Sequence, residues 1–218
     1  MPFKGWRAEA IEFFEGLEAD NSKTYWQEHK PVYDKLVKAP MEELLAELAP
    51  EFGEGKLFRP YRDVRFSADK TPYKTAISAR VGSSGYVQLS ANGLAAGSGM
   101  WEMATDQLER YRQSVAADRT GEELAGIVAD LGKIGCDAIG HGTLKTAPKG
   151  YDKDHPRIEL LRHKGLAAWK QWPVGAWLGR ATAKNRVVEF LRACRPLNEW
   201  LAANVGRSTL PPDPRGRR

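Results

Sequence analysis

The hydrophobic positions change period twice along the 218 residues, and the changes divide the chain into three parts. Trp6, Ala10, Phe13, Phe14 and Leu17 recur at helical spacing. Residues three and four apart share one helix face, so this spacing predicts an amphipathic helix. Asn21 and Ser22 offer an N-cap for a second helical region, where Trp26, Tyr33, Leu36, Val37, Leu44, Leu45 and Leu48 keep one stripe. Pro31 and Pro40 fall inside that stripe. A proline has no N–H to give a helix, so two or three shorter helices are expected.

From Tyr73 to about Trp101 the period drops to two, and "YKTAISARVG", "GYVQLSANG" and "LAAGSGMWEM" read as three strands joined by Ser-Gly and Asn-Gly turns. No helical stretch separates them, which predicts an antiparallel meander. Helical spacing then returns at Leu108, Tyr111 and Val115, and at Leu124, Ile127, Val128 and Leu131. Thr120 and Glu123 have the spacing of a capping box for the latter. A loop from His141 to Arg157 carries a short strand at Thr143 to Thr146, and leads to a helix with Asp154 as N-cap and Pro156 at its first position. "ELLRHKGLAAWKQW" reads as a short helix running into a strand, and Val187 to Leu201 as a C-terminal helix bent at Pro196. The fold class is therefore α+β, an antiparallel meander in mid-chain packed against N-terminal and C-terminal helices. Residues 1–208 are expected to form one domain, and 209–218, "TLPPDPRGRR", a disordered basic tail.

Composition changes this picture little. Net charge is +5 with a pI near 9.2, part of it from the three arginines of the tail, so bulk charge permits a nucleic-acid or phosphate partner without requiring one. Cys136 and Cys194 match no zinc spacing or disulfide framework, which suits a reducing cytoplasm. No apolar run approaches the length of about 18 residues that a membrane helix needs, and the N-terminus lacks a signal-peptide pattern. A cytoplasmic protein without a membrane partner is expected.

Candidate chemistry concentrates in Phe58 to Thr75, "FRPYRDVRFSADKTPYKT". Arg59, Arg62, Arg65, Lys70 and Lys74 stand against Asp63 and Asp69, with Phe58, Tyr61, Phe66 and Tyr73 between them. As a strand, the segment would place Arg59, Tyr61, Asp63 and Arg65 on one face and Arg62, Val64 and Phe66 on the other. Neither face is apolar; the first resembles the wall of a polar cleft, where guanidinium forks hold phosphate or carboxylate. Arg62 and Arg65 are expected to face such a cleft rather than the two aspartates. A second cluster, Lys149 to His155, offers Asp152, Asp154 and His155 either as metal ligands or as a base with its orienting carboxylate, in a spacing diagnostic of neither. P-loop, dinucleotide and Gly-x-Ser-x-Gly signatures are missing.

These two motifs, with "GSGMWEM" around Trp101 and the helical segment Asn21 to Leu48, resemble the bacterial and fungal family known as domain of unknown function 2461. The resemblance covers nearly the whole chain to about Leu201. It implies an intracellular α+β single domain, and brings no established activity, cofactor or catalytic residue.

Three classes of function follow from the residues. The first is binding of an anionic ligand, a small molecule or nucleic acid, by Arg59, Tyr61, Arg62, Arg65, Lys70, Lys74 and Lys149. The second is a hydrolase or phosphoryl-type enzyme using Asp63, Asp152, Asp154 and His155, with arginines stabilising developing charge. The third is an interaction protein whose polar motif only fixes a loop. The cation density favours the first. No cofactor, metal-ligand set or oligomeric state follows from the sequence.

Overall fold

The computed structural model describes residues 2–65 and 68–211. Phe66 and Pro212 to Arg218, and with them most of the expected tail, lie outside the described residues. The helices are α1 (Ala8–Ala19), α2 (Lys23–Val32), α3 (Ala39–Phe52), α4 (Thr105–Ala116), α5 (Asp118–Lys133), α6 (Ile158–Arg162), α7 (Ala183–Ala193) and α8 (Arg195–Asn204). The strands are β1 (Gly55–Leu57), β2 (Ala76–Val81), β3 (Gly85–Ser90), β4 (Gly93–Met100), β5 (Asp137–Ile139) and β6 (Leu166–Trp172). They form a six-stranded antiparallel sheet in the order β1-β2-β3-β4-β6-β5, so the fold is α+β. The predicted meander is β2-β3-β4; the short outer strands β1 and β5 carry too few alternating residues to show in the hydrophobic pattern.

Contacts divide the chain into two compact units, Met1–Gly97 with Lys170–Arg192, and Ser98–Trp169 with Ala193–Arg218. In the first, Ser22 caps α2 by accepting from Tyr25 N, as its side-chain chemistry predicts. The two prolines do not break the helical run. A π-helical turn, Tyr33–Lys38, joins α2 to α3, and Ala39 N donates to Asp34 O five residues back. The wider turn absorbs Pro40, which has no N–H to offer an α-helical register. Within the same turn, Val37 O accepts from Trp6 Nε1 at 3.2 Å. In β2 and β3, Ile77, Ala79, Val81, Val87 and Leu89 are all at most 2% exposed and face the core, while Ser78 and Ser90 on the other face are buried as well.

In the second unit, two expected caps are corrected. Helix α5 starts at Asp118, so Thr120 lies inside it and donates to Ser114 O at 2.6 Å instead of capping. Asp154 and Pro156 precede α6 without starting it, because the N-cap is Arg157. Its guanidinium is 10% exposed and donates to Val115 O (2.7 Å) and Ala116 O (2.9 Å), with Asp118 at 3.4 Å. A cation on the terminal carbonyls of α4 satisfies acceptors that the helix leaves unpaired, at the negative end of its dipole. Gly121 makes room for it: a Cβ there would lie 2.4 Å from Arg157 Nε. The expected strand at Thr143 to Thr146 is a single bridge, Thr143 to His163. The predicted C-terminal helix is two helices, α7 and α8, with Pro196 in the first turn of α8. Thr209, at the start of the expected tail, donates its N–H to Asp106 at 2.9 Å, and Ser208 donates its hydroxyl to the same carboxylate at 2.7 Å.

Candidate functional site

The cation-rich stretch is held as a ribbon in the first unit. Tyr61 pairs with Tyr73 in an isolated antiparallel bridge, with Arg62 N on Pro72 O (2.9 Å) and Lys74 N on Pro60 O (2.8 Å). Residues from far along the chain fix its position. Asn21 Oδ1 accepts from Tyr73 N at 3.0 Å, while its Nδ2 donates to Tyr73 O at 3.1 Å, so the side-chain amide acts as a one-residue strand partner. Trp26 of α2 stacks on Tyr73 with centroids 4.4 Å apart and planes within 7°. Tyr33 and Phe13 lie 4.8 and 5.9 Å from the Trp26 ring, and Tyr61 closes the cluster at 6.1 Å. Burial raises the Tyr33 hydroxyl well above the ordinary phenol range, with a smaller contribution from Asp34.

The ribbon sorts its own charges. Arg62 pairs with Asp69 and donates to Thr71 Oγ1 at 2.7 Å. Asp69 Oδ1 in turn accepts from Thr71 N at 2.9 Å, closing the turn expected at Asp69–Pro72. Arg65 grips Asp63 with two bonds, of 2.9 and 2.7 Å. The expectation that Arg62 and Arg65 face an open cleft is thus corrected: both reach nearby aspartates, Arg65 its neighbour Asp63 two residues back and Arg62 the Asp69 that the turn folds within reach. Lys70 donates to Val64 O at 2.9 Å. Arg59, Lys70 and Lys74 remain without a carboxylate partner among the described residues. The Lys74 ammonium lies 5.8 Å from the Phe58 ring centre, and burial, then the charge of Arg59, lowers its pKa. Phe58 and Tyr61 are 38% and 49% exposed beside these cations.

The Asp63 carboxyl sits at about 2 against an ordinary 3.8, chiefly through the Arg65 side chain and then the Arg65 N–H. A lowered carboxylate pKa means that this pairing is complete above the ordinary value and lost as pH falls through about 2. Arg65→Ala is expected to return Asp63 most of the way to its ordinary value in a carboxylate-detected NMR titration. A titration still centred near 2 would assign the shift to the backbone N–H instead.

The second cluster lies in the other unit and is built as a turn. Asp152 Oδ1 accepts from Asp154 N (2.9 Å), and His155 Nδ1 accepts from Arg157 N (3.0 Å). These bonds shape the loop that delivers Arg157 to α4. Lys149 is exposed, as are Asp152 and Asp154, and among the described residues no three His, Cys, Asp or Glu side chains group in a way that would hold a metal. Sequence reasoning passed over Arg157, whose role depends on the end of a helix some forty residues earlier.

It also passed over Lys56, Arg80, Tyr86 and Gln88, which the strand register brings beside Phe58. Lys56 pairs with Arg80 across β1 and β2, and Arg80 with Tyr86 across β2 and β3. The signal was present as the outward half of the period-two alternation, which reads as an ordinary solvent face.

The profile of a family described as conserved hypothetical protein (DUF2461) matches residues 9–200. The chain belongs to this family. The match takes in both the ribbon and the Lys149–His155 turn of the DUF2461 protein. No curated protein and no solved structure matches it significantly. No helix among the described residues is long and apolar enough to cross a membrane.

Proposed function

We propose that this DUF2461 protein binds an anionic, phosphate- or carboxylate-bearing ligand at the Phe58–Lys74 ribbon, with Arg59 and Lys74 as the charge-holding groups. One observation carries the reading. The ribbon neutralises Arg62 and Arg65 internally, yet leaves Arg59 and Lys74 unneutralised and close enough for one to lower the pKa of the other. An anion between two such cations relieves their repulsion, and partial burial of Lys74 strengthens the attraction. Arginine supplies the forked donor and lysine the point charge of a phosphate site.

Calorimetric titration with inorganic phosphate and pyrophosphate tests the proposal. Arg59→Ala and Lys74→Ala are each expected to weaken binding about tenfold, or about 1.4 kcal/mol. Lys70→Ala, which removes an ammonium turned to Val64 O, should weaken binding less than either. Because the ammonium is the binding form and its pKa is lowered, affinity should fall as pH rises through that pKa, and Lys74→Arg should abolish the fall. Unchanged affinity in both alanine variants would sink the proposal.

A further inference from the structure

We propose that the outward face of β1, β2 and β3 is a platform for single-stranded nucleic acid, continuous with the Arg59–Lys74 anion site. The inference rests on the anion-binding reading and names its ligand class. The register sets the composition of this face. Residues paired across antiparallel strands project to the same side. Lys56, Arg80 and Tyr86 therefore form one row across the three strands. Ser78 and Gln88 form the next, and Phe58, whose N–H bonds to Ser78 O at 3.0 Å, extends it. Lys74 stands two residues before β2 and reaches the Phe58 ring from the same side.

Three features of this face match a nucleic-acid strand. The first is charge. Lys56, Lys74 and Arg80 contribute cations, and β1, β2 and β3 contain no Asp or Glu. Glu54, just before β1, sits at the end of β2 away from Lys74, where Glu54 O accepts from Gly82 N. A surface with cations and no carboxylate follows a phosphodiester backbone and releases its counterions.

The second is the pair of rings. Phe58 and Tyr86 lie 6.3 Å apart at 34°, and Phe58 is 38% exposed. The Tyr86 hydroxyl donates to Gln88 Oε1 at 2.8 Å, which holds that ring in place along the strand. Tyr86 is half-buried, so Phe58 is the ring open to a base; an exposed aromatic on a sheet, flanked by cations, stacks unpaired bases while the cations hold phosphates. The third is that Ile77, Ala79, Val81, Val87 and Leu89 bury the opposite face, which leaves Lys56, Phe58 and Arg80 exposed at the open end of this one, while Ser78 between the strands is buried. A polyanion without bases would use the cations and leave Phe58 idle. A duplex hides its bases in the stack, so it would do the same.

Fluorescence anisotropy with a labelled single-stranded oligonucleotide of about 12 nucleotides, within the site sizes of single-strand binders, tests the assignment. The same strand as a duplex, and heparin as a base-free polyanion, serve as competitors. Expected are preference for the single strand, affinity that falls with added salt, a loss of at least about fivefold in Phe58→Ala, and a loss of similar size in Arg80→Glu. Both residues are exposed, so neither variant should disturb folding. Duplex or heparin competing as well as the single strand, or affinity untouched by Phe58→Ala, would overturn the nucleic-acid assignment. Phosphate binding that still depends on Lys74 would then leave the anion site standing. Binding of neither phosphate nor single strand would overturn both.

Discussion

Trp26→Ala is expected to cost about 3–5 kcal/mol of folding stability, the range for removing a large buried aromatic. Trp26 is 4% exposed and touches Phe13, Tyr33, Tyr61 and Tyr73, so it ties α1, α2, the π-helical turn and the ribbon together. Denaturant unfolding followed by circular dichroism measures the loss. The same variant should lose phosphate affinity although Trp26 carries no charge, because the stack on Tyr73 sets where the ribbon lies. Trp26→Phe should recover most of the stability, keeping a ring against Tyr73 at reduced contact area. A loss below about 1 kcal/mol in Trp26→Ala would show that the cluster is not the anchor of the ribbon.

The second large effect lies in the other unit. Arg157→Ala is expected to destabilise by about 2–4 kcal/mol, since it strips a charged donor from two carbonyls of α4. Arg157→Lys should restore only part of this, because one ammonium cannot reproduce a planar fork spanning Val115 O and Ala116 O. Gly121→Ala should approach the same loss from the opposite side, its methyl displacing the guanidinium and meeting Val115 O at 2.1 Å. If Arg157→Ala melts with the parent protein, the Lys149–His155 turn has no structural duty toward α4, and an acid–base role for Asp152 and His155 gains weight.

Much of the fold is legible in the order of the residues. Each helix and each long strand must bury one face, and burial imposes its period on the sequence. That is why α1, the α2–α3 run, β2, β3, β4 and α5 can be placed from Trp6 to Leu131. Caps were less legible. Ser22 follows the local rule, whereas Thr120 and Asp154 carry capping chemistry at positions where tertiary packing starts the helix elsewhere. The π-helical turn was illegible because Pro31 and Pro40 announce an interruption without saying whether the chain breaks or widens.

The candidate site divides along the same line. By itself the sequence determined that five cations share the ribbon with two carboxylates, so a positive excess was certain to remain. It determined the alternation of β2 and β3 as well, and with it which residues leave the core. Only the tertiary structure decided that the excess sits on Arg59, Lys70 and Lys74, since Asp63 takes its near neighbour Arg65 and Asp69 takes Arg62 once the turn at Asp69–Pro72 folds. Only the strand register set Lys56, Arg80, Tyr86 and Gln88 beside Phe58. The physical reason is range. Burial acts on every residue of an element and leaves a periodic trace, whereas a charge pair or a cross-strand neighbour depends on where two distant pieces of backbone come to rest.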